Sequence, residues 1–100
     1  MTAAFILSPA AEDDVVEIAD YIAEHDRRAA HRLVNEIYDR FALLAQRPGL
    51  GHRRPDLTSL HVRFSTIRGR FMIVYRGETA PIEIVRVLST YRDIASLLEG

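Results

Sequence analysis

Residues 70–88 read RFMIVYRGETAPIEIVRVL, and this stretch decides the fold because it has the pattern of a β-hairpin. β-branched, aliphatic and aromatic residues dominate both of its arms, as is typical of strands. We predict one strand over residues 70–76 and a second over 82–88. The Gly- and Pro-containing segment 77–81 between them has the composition of a turn.

One charged residue interrupts the second strand. Side chains alternate between the two faces of a strand, so Arg86 falls in the same otherwise apolar row as Ile84 and Leu88. A guanidinium in such a row must be paired or face a partner. We therefore predict that Arg86 contacts a partner. The alternative is a structural ion pair with a nearby carboxylate, such as Glu83 or Asp93.

The hairpin register predicts which residues share the face of Arg86. We place Arg76 opposite Ile82, so that Met72 lies opposite Arg86. The apolar face, which should pack against the helices, would then carry Phe71, Ile73, Tyr75, Val85 and Val87. The mixed face would carry Arg70, Met72, Val74, Arg76, Ile84, Arg86 and Leu88, with His61 and Arg63 from the preceding hairpin. A mixed face of this kind is expected to be covered by another segment.

A helical hairpin precedes these strands. Residues 3–7 form a short apolar run, read as an opening strand. Ser8 followed by Pro9 marks a helix start, and we predict the first helix over residues 9–24. Asp26 can cap a second helix over residues 27–46. Its buried stripe would comprise Ala30, Leu33, Val34, Ile37, Phe41 and Leu44.

Two further elements complete the predicted order. Residues 60–64 alternate between apolar and polar side chains, which indicates a half-buried strand. Asp93 can cap a short final helix that runs to Leu98. The order β-α-α-β-β-β-α predicts an α+β fold, with the helical hairpin packed on one face of a small, mainly antiparallel sheet. The length of 100 residues suits a single domain over residues 1–100.

Charge is distributed unevenly along the chain, although the net charge is only −1. Residues 1–26 carry seven acidic side chains and no arginine, whereas residues 46–76 carry seven arginines and one acidic residue. All thirteen basic residues are arginine, which binds carboxylates and phosphates with two parallel hydrogen bonds. The basic segment 53–70 is either a nucleic-acid footprint or a solvated surface partly paired with a protein partner.

Composition argues against several classes of function. The chain has no cysteine, which excludes disulfides and fits a reducing, cytoplasmic location. No apolar run is long enough for a membrane span, and no secretory signal is visible. His25, His31, His52 and His61 lack the close spacing of metal ligands, so we expect neither a metal nor another cofactor. His61 is the one histidine worth testing as a base, although no paired acid or nucleophile is evident.

Four blocks, in order and spanning nearly the whole chain, resemble the ParE/RelE superfamily of bacterial toxins and most closely its ParE branch. The first comprises Leu7–Ala11 with Asp14, Val15, Ile18 and Tyr21, and the second Pro48–Gly51 with Arg54, Asp56 and Leu57. The third comprises Arg63, Gly69, Phe71, Ile73, Tyr75 and Arg76, and the fourth Ile82–Leu88 with Arg92 and Asp93. These proteins are the toxin halves of type II toxin–antitoxin pairs. The resemblance implies the β-α-α-β-β-β-α order read above.

The resemblance also implies a partner and a target. The partner would be a cognate antitoxin, ParD-like or similar, whose C-terminal tail wraps the toxin in a hetero-oligomer. ParE-like toxins poison DNA gyrase, whereas RelE-like relatives cut mRNA on the ribosome with clustered basic groups, often lysine, and a C-terminal Tyr or His. This chain has no lysine, and residues 94–98 contain neither Tyr nor His. Gyrase inhibition without chemistry is therefore the favoured function. An mRNA endonuclease and a non-toxic antitoxin-binding relative are the alternatives.

We assign no catalytic residue and predict a set of target or antitoxin contacts. The predicted contact residues are Arg63, Arg70, Met72, Arg76, Arg86, Tyr91 and Arg92. Tyr21 and Tyr38 are expected at the edges of the core, because amphipathic aromatic residues favour such positions. An antitoxin tail is the expected cover of the mixed face.

Overall fold

The computed structural model describes residues 4–90 and 92–99, which form seven elements. In chain order they are β1 (Phe5–Leu7), α1 (Pro9–Ala23), α2 (Arg27–Gln46), β2 (Arg63–Ile67), β3 (Phe71–Arg76), β4 (Ile82–Ser89) and α3 (Ile94–Glu99). The α+β class and the element order predicted from the sequence are confirmed. No helix within the described residues is long and apolar enough to cross a lipid bilayer.

Local signals define the helical hairpin. The Ser8 side chain accepts a hydrogen bond of 3.0 Å from the Ala11 N–H, and the Asp26 carboxylate accepts one of the same length from Ala29. Both contacts satisfy N–H groups that the first turn of a helix leaves unpaired. The predicted bounds of α2 are confirmed, and α1 ends one residue earlier than predicted.

The sheet has the order β1-β4-β3-β2, with β1 parallel to β4 and the other pairs antiparallel. The prediction of β2 over residues 60–64 was wrong in position, since the strand begins only at Arg63. Ser65 and Thr66 are polar and adjacent, so the sequence from residue 65 onward lacks the alternation that is typical of a strand. Arg40 of α2 donates hydrogen bonds to the Ser65 hydroxyl and to the Thr66 carbonyl, at 2.8 and 3.1 Å, so these polar groups are satisfied within the sheet.

The predicted register between β3 and β4 was wrong by one residue next to the turn, where Arg76 lies opposite Glu83, and a bulge in β4 shifts it by one more residue further on. Tyr75 lies opposite Ile84 but Val74 lies opposite Arg86, which leaves Val85 as an extra residue. A bulge interrupts the alternation of faces along its strand. Ile84 and Leu88 therefore lie in different apolar clusters, and Arg86 does not share one continuous row with both.

The sheet separates two apolar clusters. The helical hairpin covers the first, which includes Leu33, Val34, Ile37, Phe41 and Leu44 of the predicted α2 stripe, and Ala30 of that stripe is also buried. Phe71, Ile73, Tyr75 and Val87 belong to this cluster as predicted. Val85 was wrongly placed on this face, because the bulge transfers it to the second cluster and brings Ile82 and Ile84 to the first.

The second cluster lies on the mixed face of the sheet, which was predicted to be covered by a partner. Met72, Val74 and Leu88 are buried there. The chain itself covers them, with Ile94, Leu97 and Leu98 from the α3 segment and with Leu57, Val62 and Phe64. An antitoxin tail is therefore not needed to cover this part of the sheet.

Candidate functional site

Arg86 forms a structural ion pair, which was the alternative prediction, but its partner is Asp14. Its Nε and one terminal nitrogen donate hydrogen bonds of 2.8 and 2.9 Å to the two carboxylate oxygens of Asp14 in α1. The side chains are 23% and 7% exposed, respectively. The predicted structural partners Glu83 and Asp93 were wrong. The hydrogen bonds with Asp14 raise the pKa of Arg86 above its ordinary value.

Ser8 and Asp14, at the start of α1, bind backbone groups along the edge of β4. Strand β1 ends at Leu7, so the edge of β4 beyond Ile84 has no neighbouring strand. The Ser8 hydroxyl donates to the Val85 carbonyl at 2.7 Å, and the Val87 N–H donates to an Asp14 oxygen at 2.9 Å. The start of α1 thus replaces a strand along the bulged part of β4.

Three other predicted contact residues are also engaged by the chain itself. Arg76 pairs with Glu83 across the hairpin, at 3.1 Å between nitrogen and oxygen. Arg63 donates a hydrogen bond of 2.8 Å to the Gly51 carbonyl. It lies opposite Tyr75, and the predicted mixed face does not include it. Met72 is buried in the second cluster.

Three predicted contact residues remain: Tyr91, Arg70 and Arg92. Tyr91 lies outside the described residues. Arg70 and Arg92 are exposed and form no ion pair with any residue within 4–90 and 92–99. The guanidinium of Arg70 lies 5.8 Å from the centre of the Phe71 ring, which adds a weak cation–π contact.

Arg70 and Arg92 line the same groove, of ≈ 540 Å³, between α1 and the ends of β3 and β4. We call this the α1–sheet groove. Its lining residues are Glu17, Ile18, Tyr21, Ile22, Arg70, Phe71, Ser89 and Arg92. The two arginines were predicted from the sequence as contact residues, but the residues of α1 that line the groove were not. Residues 17–22 are distant from both arginines along the chain, and only the packing of α1 on the sheet brings them together.

The two tyrosines predicted at core edges differ in their surroundings. Tyr38 is 40% exposed and packs against Phe5 and Phe41, with its ring centre 5.1 Å from that of Phe41. Tyr21 is 66% exposed, so its predicted position at the edge of the core was wrong. Among the described residues, its ring contact is an edge-on arrangement with His25, which lies two residues beyond the end of α1.

Four of the seven arginines in residues 46–76 bind other groups of the chain: Arg54, Arg63, Arg68 and Arg76. Arg54 pairs with Asp56 at 2.8 Å, and Arg68 pairs with Glu36 of α2 at 2.6 Å. His61 is exposed and precedes β2, so its predicted place on the strand face was wrong. Within the described part of the chain, no three acidic or histidine side chains are arranged to hold a metal ion.

A buried tyrosine anchors the turn that follows α2. The Tyr75 hydroxyl donates to the Pro48 carbonyl and accepts from the Gly51 N–H, both at 2.8 Å. A Cβ atom at Gly51 would lie 2.6 Å from this hydroxyl, and one at Gly77 would lie 2.8 Å from the Pro48 oxygen. Glycine is therefore required at both positions. Burial raises the pKa of the Tyr75 phenol above its ordinary value.

The described fold is that of RelE/ParE-like proteins. It is similar to a chain of the solved structure "Chromosomal ParDE TA system from P. aeruginosa", with a TM-score of 0.70 and 24% sequence identity. The similarity covers 88% of this chain and 96% of that chain. No curated protein sequence matches the chain.

The sequence narrows this class to one family. The family model described as "ParE toxin of type II toxin-antitoxin system, parDE" matches residues 5–94. That range includes the Asp14–Arg86 pair, the anchored turn and the α1–sheet groove. The chain therefore belongs to the ParE toxin family of type II toxin–antitoxin systems, as the four sequence blocks indicated.

Proposed function

We propose that this protein inhibits DNA gyrase and that a cognate ParD-like antitoxin neutralises it by binding in a hetero-oligomer. The observation that carries the proposal is the family match over residues 5–94, which spans every strand and both long helices. A ParDE toxin–antitoxin system is also the source of the solved structure that shares this fold. Because gyrase acts on the chromosome, the proposed site of action is the bacterial cytoplasm.

The surroundings of the arginines favour inhibition by binding over RNA cleavage. Cleavage would need cations placed around the scissile phosphate to stabilise the charge of the transition state. Arg86 forms an ion pair with Asp14, and Arg76 forms one with Glu83. Arg63 donates a hydrogen bond to the Gly51 carbonyl. The chain has no lysine to supply further cations. Ribosome-dependent mRNA cleavage therefore remains the second candidate.

In the proposed mechanism the toxin performs no covalent step. It would bind gyrase through exposed side chains and stabilise the enzyme in a state in which its DNA is broken. The core of the toxin is the sheet with its two apolar clusters, and Arg92 lies three residues beyond the end of β4. The free Arg70 and Arg92 are the predicted contacts that remain available to a target.

The first test is a supercoiling assay with purified gyrase. We expect the toxin to block supercoiling and to increase cleaved DNA, and we expect a stoichiometric amount of antitoxin to restore activity. The antitoxin is to be taken from the reading frame beside the toxin gene. Heat-unfolded toxin is the control for non-specific inhibition.

Two outcomes would contradict gyrase inhibition. Unaffected gyrase together with truncated ribosome-bound mRNA would support the endonuclease alternative. Unaffected gyrase, intact mRNA and normal growth after induction of the gene alone in bacteria would instead support a non-toxic antitoxin-binding relative.

A further inference from the structure

Another groove, of ≈ 310 Å³, lies between α1 and α2, and we call it the α1–α2 groove. Three alanines line it: Ala19, Ala23 and Ala30. None of them belongs to the apolar cluster between the hairpin and the sheet, so the groove opens on the outer side of the hairpin. Val16 and Tyr38 continue the same helix faces, four residues from Asp20 and Val34, and are 57% and 40% exposed. Exposed apolar side chains that adjoin in this way favour an interaction surface.

The two walls of the α1–α2 groove carry opposite charge. The exposed charged residues of α1 are all acidic: Glu12, Asp13, Glu17 and Asp20. The charged residues of α2 between positions 27 and 35 are all arginine: Arg27, Arg28 and Arg32. Asp20 lines the α1 wall, whereas Arg27 and His31 line the α2 wall. None of these three side chains forms an ion pair within residues 4–90 and 92–99, so all three are available to a partner.

These charges oppose the dipoles of the helices that carry them. The dipole favours acidic residues in the first turn of a helix and basic residues in the last turn. Asp20 lies in the last turn of α1, which has no basic residue. Arg27 and Arg28 begin α2, whose first turn has no acidic residue. Helix stability therefore does not explain these charges, and such a departure from a local rule is expected where a partner compensates for it.

We infer that the α1–α2 groove is the interface of a symmetric dimer, in which a second copy of this chain lays its helical hairpin on the first. A twofold interface uses the same surface of both chains, so that surface must be complementary to itself. A face with one acidic wall and one basic wall meets this condition. Asp20 of each chain pairs with Arg27 of the other, and His31 lies beside the pair. The dimer does not depend on the proposed inhibition of gyrase or on an antitoxin.

The charges also select the orientation of the two chains. A twofold axis that lies in the interface parallel to the helices places α1 of each chain on α2 of the other, so that acidic residues face arginines. An axis perpendicular to the helices would place α1 on α1 and bring like charges together, which is repulsive. The alanines of the groove allow the helices of the two chains to approach closely, because the distance between packed helices depends on the side chains at the contact.

Analytical ultracentrifugation of the purified toxin over a series of concentrations tests the dimer. We expect the wild type to dimerise, and we expect Asp20→Arg and Arg27→Asp each to raise the dissociation constant of the dimer at least about tenfold. Each change creates two contacts between like charges in every dimer. The matched controls are Glu78→Arg and Arg53→Asp, which make the same changes in charge at exposed residues outside the groove. Both controls should dimerise within about twofold of the wild type.

A mixture of the two variants separates a contact between chains from an effect within one chain. In an equimolar mixture of Asp20→Arg and Arg27→Asp, a mixed dimer again joins opposite charges at both contacts. The mixture should therefore dimerise about as well as the wild type, although each variant alone does not. If Asp20→Arg instead dimerised better with the wild type than with Arg27→Asp, α1 would lie on α1, and the inference would be overturned.

Circular dichroism of the dilute proteins provides the control for folding. Both charge-reversed variants should melt no lower than the wild type, because each new charge agrees with the dipole of its helix. If one of them unfolds, the neutral changes Asp20→Asn and Arg27→Gln take its place and should weaken the dimer by a smaller factor. A wild type that stays monomeric at every concentration would leave the face to a different partner and overturn the inference. Folded variants that dimerise as tightly as the wild type would overturn it as well.

Discussion

At the residue scale, the carboxylate of Asp14 connects α1 to the bulged part of β4. It accepts two hydrogen bonds from Arg86 and one from the Val87 backbone. A carboxylate that is nearly buried needs such partners, because desolvation without them costs several kcal/mol. The pair therefore positions the end of β4, from which the chain leads to Arg92.

We expect Arg86→Ala to lower the free energy of unfolding by about 3 kcal/mol, because it leaves the Asp14 charge buried without its cation. Arg27→Ala is the control, since Arg27 is exposed, and it should change stability by no more than about 0.5 kcal/mol. Urea titration followed by circular dichroism measures both. Equal stability of the two variants would show that the pair contributes nothing to folding.

Tyr75 permits a second prediction, about both stability and pH. Tyr75→Phe leaves the Gly51 N–H and the Pro48 carbonyl without their partner, so we expect a loss of about 2 kcal/mol. Tyr38→Phe, at a half-exposed tyrosine, serves as the control. In the folded state the raised pKa means that the phenol holds its proton more tightly than in the unfolded chain.

The pH dependence of this contribution follows from the sign of the shift. The contribution of a raised pKa is complete below the unfolded value of about 10 and is lost as pH rises through the folded value. Wild-type stability should therefore fall on the alkaline side of pH 10, and Tyr75→Phe should lack this part of the fall. Urea titrations at several alkaline pH values compare the two proteins. Parallel curves would contradict the assignment to Tyr75.

Among the elements, the bulge in β4 and the short helix α3 determine which side chains lie on the second face of the sheet and which of them are covered. The bulge shifts the register, and α3 brings Ile94 over the sheet next to Leu88. The Asp93 carboxylate accepts hydrogen bonds from the backbone and hydroxyl of Ser96, which lower its pKa. A six-residue helix depends on such packing and capping, because it is too short to be stable alone.

Truncation of the α3 anchor tests this dependence. We expect Ile94→Ala to cost about 2–3 kcal/mol, since Ile94 is buried and its removal leaves a cavity. Leu60→Ala, at an exposed leucine, is the control. Hydrogen exchange should show faster exchange of the amides of residues 94–98 in Ile94→Ala, while the amides of α2 keep their order of protection. Unchanged exchange in α3 would mean that Ile94 does not hold the helix.

The predictability of these elements follows from the range of the interactions that form them. The caps at Ser8 and Asp26 act within three residues, and the helical hairpin was accordingly predicted almost to the residue. The bulge at Val85 depends on contacts with α1 and β3, which no local pattern records. The Asp14–Arg86 pair joins residues 72 positions apart, so the sequence indicated that Arg86 needed a partner but not which one.

At the scale of the whole molecule, the sheet separates a completed face from an incomplete groove. The helical hairpin covers one side, and α3 with the loop between α2 and β2 covers the other, so the chain itself covers both apolar clusters. Between α1 and the strand ends lies the groove lined by Arg70 and Arg92, neither of which forms an ion pair with another described residue. The fold class followed from the order of elements, whereas the groove depends on segments distant in sequence and required the structure.

The contacts along β2 and along the overhang of β4 have a further consequence, for association with other chains. His52 bridges to Phe64 on the outer side of β2, Arg40 binds the Thr66 carbonyl there, and Ser8 with Asp14 occupies the overhang of β4. Unprotected strand edges recruit other chains into aggregates. Side chains and loops at these positions therefore reduce the length of strand edge on β2 and β4 to which another chain could add.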